Sequence, residues 1–97
     1  MNAVERLWRG IARRDYAAIA AQLQENARIE WPHTGESLSA TEYVVRQRLA
    51  GEREIHVLAV LVDDERVAVH ATVDGHHVGA FYDLQESRIA RGVEMWT

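Results

Sequence analysis

Glu94 is the first candidate for chemistry in this sequence, because strand alternation places its carboxylate on an apolar face. In the C-terminal segment, alternation puts Gly92, Glu94 and Trp96 on one side of a strand. A carboxylate on a buried face must be paired, hydrated or protonated, because burying an unpaired charge is expensive. His76 and Tyr82, on the preceding predicted strand, are the partners that would make Glu94 a general acid or base.

A structural interpretation fits the same pattern. Glu94 would then be a satisfied polar group, bonded to Tyr82, to His76 or to a water molecule, and such networks also perturb carboxylates. Trp31 and Trp96 also allow two interpretations: they line a ligand pocket, or they fill the core. Aromatic residues on an inward face are more often core residues. The residues alone leave both alternatives open.

The hydrophobic pattern predicts three helices in the first half of the chain. Apolar residues at every third or fourth position predict a helix over about residues 2–14. Asp15 can cap a second, short helix. Residues 27–31 alternate and predict a first strand, which a loop with the only proline follows. A capping box at residues 39–42 opens a third helix that ends near Ala50.

Everything after the third helix is predicted as strand and turn. Four strand-like segments follow one another, at residues 55–62, 67–73, 76–84 and 88–97. Asp74-Gly75 is a strong signal for a two-residue hairpin turn. The order of elements predicts an α+β fold in a single domain, residues 1–97, with the helices laid on one face of a curved antiparallel sheet.

The hairpin at Asp74-Gly75 also assigns side chains to faces, because opposed residues in an antiparallel pair point the same way. With a three-residue turn at 85–87, the face toward the helices is apolar and contains many small residues that leave space above the sheet. Space beside a titratable group is typical of a binding site. The residues predicted to line it from the sheet and the first strand are Val78, Ala80, Gly92, Trp31 and Trp96.

The opposite face of the sheet carries an apolar patch formed by Phe81, Ile89, Val93 and Met95. A contiguous apolar patch on a small domain usually contacts a partner, and two-fold dimers are the commonest assembly. We therefore expect a homodimer through this outer sheet face.

Composition limits the other classes of function. The chain has no cysteine, which excludes disulfides, thiolate nucleophiles and thiolate metal sites. His70 and His77 lie at diagonal positions about 7–8 Å apart, which is long for shared coordination, so no metal is expected, and no cofactor either. The net charge of -4 argues against nucleic-acid binding. No apolar run could span a bilayer and the N-terminus lacks a secretion signal, so we expect a cytoplasmic protein without membrane contact.

The layout resembles the nuclear-transport-factor-2-like superfamily, and within it the SnoaL-like cyclases and ketosteroid isomerases. The resemblance rests on RDYAAIAAQLQENARIEWPHTG, on the helix from Ser39 to Leu49 and on FYDLQESRIARGVEMW, in the order of the family pattern. It covers nearly the whole chain. It implies a cystatin-like cone with a central pocket between sheet and helices, and a dimer through the outer sheet face.

The resemblance also implies that the ketosteroid isomerase chemistry is lost. In those enzymes the first strand reads Glu-Asp-Pro and the Asp is the base, whereas this chain has Glu30-Trp31-Pro32. The tyrosine that donates to the oxyanion maps onto Leu7, and its partner acid maps near Ala80. Neither residue can donate to a developing oxyanion, so Leu7 and Ala80 are expected to contact a ligand only as apolar residues.

Two functions remain after these exclusions. The first is a small isomerase, cyclase or lyase that moves a proton on an apolar carbonyl compound, with Glu94 as base and His76 or Tyr82 as donor. The second is a non-catalytic binding or dimerisation module in which Trp31 and Trp96 fill the cone. They differ in whether a cavity remains inside.

Overall fold

The computed structural model describes all residues from 1 to 97 and contains three helices and one six-stranded sheet. The helices are α1 (Ala3–Arg13), α2 (Tyr16–Ala21) and α3 (Ala40–Ala50). The strands are β1 (Leu23–Trp31), β2 (Glu36–Ser39), β3 (Ile55–Asp63), β4 (Arg66–Val73), β5 (His76–Gln85) and β6 (Arg88–Trp96). The predicted α+β class, with three helices against a curved sheet that stays open, is confirmed.

All three helices begin at residues that satisfy their free N–H groups. Asn2 accepts from the backbone of Glu5, and the Glu5 carboxylate accepts from the backbone of Asn2 in return. Asp15 caps α2, and Ser39 forms the predicted capping box at the start of α3. None of the three helices has the length and apolarity needed to cross a bilayer.

The sheet has the order β2-β1-β6-β5-β4-β3. The antiparallel meander from β3 to β6 is as predicted, whereas β1 starts four residues earlier than predicted and pairs in parallel with β6. Strand β2 was predicted as loop. It has only four residues, too few for a periodic pattern, and it forms because Gly35, with a φ of 76°, helps to turn the chain back along β1.

The turn between β5 and β6 differs from the prediction, and it changes the position of Ile89. It is a two-residue turn at Glu86-Ser87, both with positive φ, and a register shift beside Asp83 and Leu84 adds a β-bulge. A bulge reverses the face of the residues before it. Ile89 therefore points to the helices and is fully buried, so its predicted place in the outer patch was wrong.

The helices cover the inner face of the sheet and form one continuous hydrophobic core with it. The apolar residues whose spacing predicted the first helix lie on α1. Leu7 and Trp8 are among them, and they are buried in this core as expected. Only two polar side chains are buried with it, those of Gln47 and Glu94. Both lie close to the candidate site.

Candidate functional site

Glu94, on β6, is only 1% exposed and accepts hydrogen bonds from three side chains. The Trp31 indole Nε1 donates to Oε1 at 2.9 Å. The hydroxyls of Tyr43 and Tyr82 both donate to Oε2, at 2.8 Å and 2.6 Å. The Trp8 indole Nε1 donates in turn to the Tyr82 hydroxyl oxygen at 3.1 Å. The carboxylate is thus held by donors from β1, α3 and β5, with α1 behind them.

Gly92 is the residue that makes room for this arrangement. It lies directly opposite Tyr82 in the β5–β6 pair. A Cβ atom at Gly92 would lie 2.7 Å from Tyr82 Cδ1 and 2.9 Å from Ile29 Cδ1, which is closer than such atoms approach. The space predicted above Gly92 is therefore occupied by the tyrosine ring rather than by a ligand.

The network leaves Glu94 as the group that can change its protonation state. Burial raises the pKa of Glu94 above its usual value, while the bonds from Tyr82, Trp31 and Tyr43, and the positive charge of Arg53, oppose the shift. Burial and the nearby carboxylate raise the pKa of both tyrosines well above the usual value, so they remain donors. Glu94 therefore holds its proton more tightly than an exposed glutamate does, because its pKa is raised.

The interior beside Glu94 is filled. The cleft next to the carboxylate contains about 170 Å³ of space between atoms, and none of it is wide enough for a water molecule. Leu7, Val78 and Ala80, which were predicted to contact a ligand, are at most 1% exposed and pack in the core. The cone fold is present, but its predicted central pocket is occupied by the protein's own side chains.

An open cavity of about 360 Å³ lies instead at the surface, where the C-terminal half of α3 meets Trp31 and Trp96. We call it the mouth cavity; its lining is Trp31, His33, Arg46, Gln47, Leu49, Ala50, Arg53 and Trp96. Three of these residues, Gln47, Arg53 and Trp96, also border the narrow cleft beside Glu94. They form a partition between the mouth cavity and the buried carboxylate.

Three aromatic rings form one side of the mouth cavity. The His33 ring centroid lies 5.8 Å from that of Trp31 and 5.9 Å from that of Trp96, so it bridges the two indoles. The Arg46 guanidinium lies over the Trp31 ring at 4.9 Å, and it makes two hydrogen bonds to the Glu36 carboxylate. The predicted aromatic pair Trp31 and Trp96 thus borders a cavity, although at the entrance of the cone.

The structure does not bring His76 to Glu94. His76 is exposed at the end of the β4–β5 hairpin, opposite Val73, and the hydrogen-bond partners of Glu94 are all other residues. The predicted contact between them was wrong, because β5 places Ala80 opposite Glu94, and His76 lies four residues further along the strand. Of the proposed catalytic set, only Tyr82 contacts Glu94.

The predicted separation of His70 and His77 was also wrong. Their ring nitrogens Nε2 and Nδ1 are 2.8 Å apart, because the two rings stack and lean toward each other from diagonal positions. The distance of about 7–8 Å applies to the backbone positions rather than to side-chain tips. No group of three or more histidine or acidic side chains is arranged to hold a metal ion.

Sequence reasoning missed Tyr43, Trp8, Gln47 and Arg53. Tyr43 and Trp8 belong to helical positions whose periodicity predicts burial, but periodicity does not show which buried group a hydroxyl or indole N–H will meet. Arg53 lies in the connection after α3, where charged residues are ordinarily solvated. The only available signal was that a buried Glu94 requires donors.

The raised pKa of Glu94 predicts a pH-dependent difference between the wild type and Glu94→Gln. An unfolded glutamate titrates near pH ~4.3, and the folded state binds its proton more tightly, so stability falls as pH rises through that window. Relative to Glu94→Gln, the wild-type free energy of unfolding should decrease by up to about 1.4 kcal/mol per pH unit and then level off. Urea denaturation across pH 4–8 measures this, with exposed Glu25→Gln as the matched control. A difference that is flat or grows with pH would contradict it.

Comparison with known proteins gives the family. No curated protein matches the chain. A candidate ketosteroid isomerase from Kribbella flavida DSM 17836 is 21% identical, with a TM-score of 0.84 over 98% of this chain and 75% of that one. An LEH-like epoxide hydrolase from M. tuberculosis is 13% identical, with a TM-score of 0.78 over 98% and 80%. IdmH from Streptomyces antibioticus, a candidate polyketide cyclase, is 10% identical, with a TM-score of 0.87 over 97% and 88%.

At these identities the structural relatives show the fold alone. The family itself is shown by a sequence model, described as the SnoaL-like domain, that matches residues 4–97. That range contains both the hydrogen-bonded network around Glu94 and the complete lining of the mouth cavity. The chain belongs to the SnoaL-like domain family.

Proposed function

We propose that this protein binds a small apolar molecule in the mouth cavity, against Trp31 and Trp96. The cavity itself carries the proposal, because about 360 Å³ lies within the usual range for small-molecule sites and one side is aromatic. The structural relatives are described as an isomerase, an epoxide hydrolase and a polyketide cyclase, which supports a small molecule as the class of ligand.

The filled interior favours binding without chemistry as the first function. Both oxygens of Glu94 already accept hydrogen bonds, and the cleft beside it holds no space for water. A ligand in the mouth cavity is separated from Glu94 by Gln47, Arg53 and Trp96. In this role the buried network positions Trp31 as a rigid wall of the cavity.

Proton transfer on a carbonyl compound is the second candidate function, and the raised pKa of Glu94 favours it. Glu94 would be the base, and Tyr82, whose hydroxyl already contacts the carboxylate, would be the donor. His76 has no place in this scheme, because it is exposed and away from the network. A substrate would have to displace the partition residues to reach the carboxylate.

We also propose that two copies pair through the outer sheet face. Leu61, Ala68, Phe81 and Val93 are directly opposed on successive strands, so they form an apolar row across β3 to β6, and Met95 lies beside it. Phe81 is 55% exposed and Leu61 70%. The ion pairs Arg66–Asp83 and Arg91–Glu30 flank the row with both signs of charge, which suits a self-complementary two-fold contact.

A cytoplasmic location is a further proposal. It is supported by the absence of cysteine, because a fold without disulfides is as stable in a reducing compartment as in an oxidising one.

The three tryptophans report on the first proposal. Titration with a panel of small ketones, steroids and polyketide-like aromatics should shift the indole N–H signals of Trp31 and Trp96 saturably in an NMR spectrum. Trp8 should move less, because its N–H is bonded to Tyr82 behind the network. The absence of a saturable shift with every compound, or equal shifts at all three indoles, would contradict binding in the mouth cavity.

Any ketone that binds also tests the second candidate. If Glu94 removes a proton, the wild type should exchange the α-hydrogens of that ketone for deuterium in D₂O, and Glu94→Gln should slow the exchange by at least ~10²-fold. Tyr43→Phe is the matched control, because it removes one hydrogen bond to Oε2 of Glu94 and keeps the carboxylate. Equal exchange with wild type and Glu94→Gln would exclude the catalytic role and leave the binding function.

The dimer is tested by molar mass in solution. Sedimentation velocity at micromolar concentration should give twice the 11.0 kDa of one chain, and Phe81→Lys should give a single chain, because it buries a charge in the apolar row. Leu49→Lys is the control, since Leu49 is also an exposed apolar residue but lies on α3. A monomeric wild type, or dissociation by both variants, would contradict this interface.

A further inference from the structure

Two buried side-chain N–H groups in the chain have no hydrogen-bond partner, and both belong to the partition. They are Nε of Arg53 and Nε1 of Trp96. Buried donors in folded proteins are nearly always paired, because an unpaired one has lost its bond to water without replacing it. Both residues also line the mouth cavity. Both atoms are covered by neighbouring atoms of the protein, so an acceptor on a ligand satisfies them only by entering the partition from the cavity side.

The charge at the mouth cavity is positive, although the chain as a whole carries -4. Arg46, Arg53 and His33 line the cavity. The Glu36 carboxylate contacts Arg46 and is already engaged by it through two hydrogen bonds. Arg53 makes no ion pair within 4.0 Å, and its one hydrogen bond goes from Nη2 to the neutral Gln47 side chain at 2.5 Å. The Arg53 guanidinium interacts electrostatically with Glu94 across the cleft, but no carboxylate is in contact with it.

Gln47 fixes the position of Arg53, which distinguishes it from a freely rotating arginine on the surface. The Gln47 side chain is 4% exposed, and its Oε1 holds the Arg53 guanidinium at the edge of the cavity. The bond occupies one of the five guanidinium donors and leaves Nε free. A guanidinium fixed in this way is preorganised for a planar oxyanion, because less side-chain freedom is lost on binding.

We propose that the ligand of the mouth cavity carries a carboxylate, which enters the partition and accepts from Arg53 Nε and Trp96 Nε1 while its apolar part packs against Trp31, His33 and Trp96. This inference rests on the proposed binding function and adds the chemical class of the ligand. A neutral carbonyl satisfies one donor but leaves the Arg53 charge without a counterion.

A doubly charged group such as a phosphate fits less well than a carboxylate. Leu49 and Ala50, in the last turn of α3, line the same cavity, and the carbonyl end of a helix carries partial negative charge. Two unpaired N–H groups match the two oxygens of one carboxylate, whereas a phosphate needs more donors. The site is thus suited to a monoanion with an aromatic or alicyclic body.

The test compares a matched pair of probes, 2-naphthoate and 2-naphthamide, which share one apolar body and differ in charge. Isothermal titration at neutral pH and low salt should show that the wild type binds the naphthoate about tenfold more tightly, as a charge-assisted bond implies. Arg53→Met should abolish the preference. Arg13→Met removes the same charge from an exposed arginine of α1 and should keep it.

Trp96→Phe is the second variant, because it keeps an aromatic ring and removes the N–H. It should weaken naphthoate binding several-fold while the Trp31 indole signal still shifts. Equal affinity of the wild type for acid and amide, or a preference that survives in Arg53→Met, would overturn the carboxylate inference and leave the binding function. If neither probe shifts the Trp31 signal saturably, both the inference and the binding function fail.

Discussion

The buried carboxylate of Glu94 is the constraint on which the rest of the structure depends. A charge or polar group at 1% exposure is tolerated only when its oxygens are bonded, and here the bonds come from β1, α3 and β5. Each donor is itself buried, so none can turn to water as an alternative. The relative positions of helix and sheet are therefore specified by hydrogen-bond geometry as well as by apolar packing.

This constraint also keeps open space out of the centre of the cone. Trp31, Tyr43 and Tyr82 converge on the carboxylate and occupy the volume that a hollow cone would offer. The concave surface that Trp31 borders lies outside the Gln47–Arg53 bond, at the entrance. The mouth cavity and the buried network are thus adjacent but separate, and Trp31 belongs to both, with its N–H inside and its ring at the cavity.

The fold was largely predictable because its signals are local. Caps at Asp15 and Ser39 and the hairpin at Asp74-Gly75 each depend on a few neighbouring residues, and all three are present in the structure. The burial of Glu94 also followed from alternation. Ile89 was misplaced because a bulge depends on pairing across strands. The partners of Glu94 were missed because Tyr43 and Arg53 reach the site through tertiary packing that no local pattern encodes.

The parallel pairing of β1 with β6 has a consequence for how the chain acquires its structure. Trp31 and Glu94 are 63 residues apart in sequence, and the strand that completes the hydrogen bonding of β1 is the last in the chain. Contacts of such high sequence separation form late, because a long loop must close before they contribute. Until β6 docks, one edge of β1 is open and the donors Trp31, Tyr43 and Tyr82 lack their common acceptor. Helix–sheet packing and sheet completion should therefore occur in a single cooperative step.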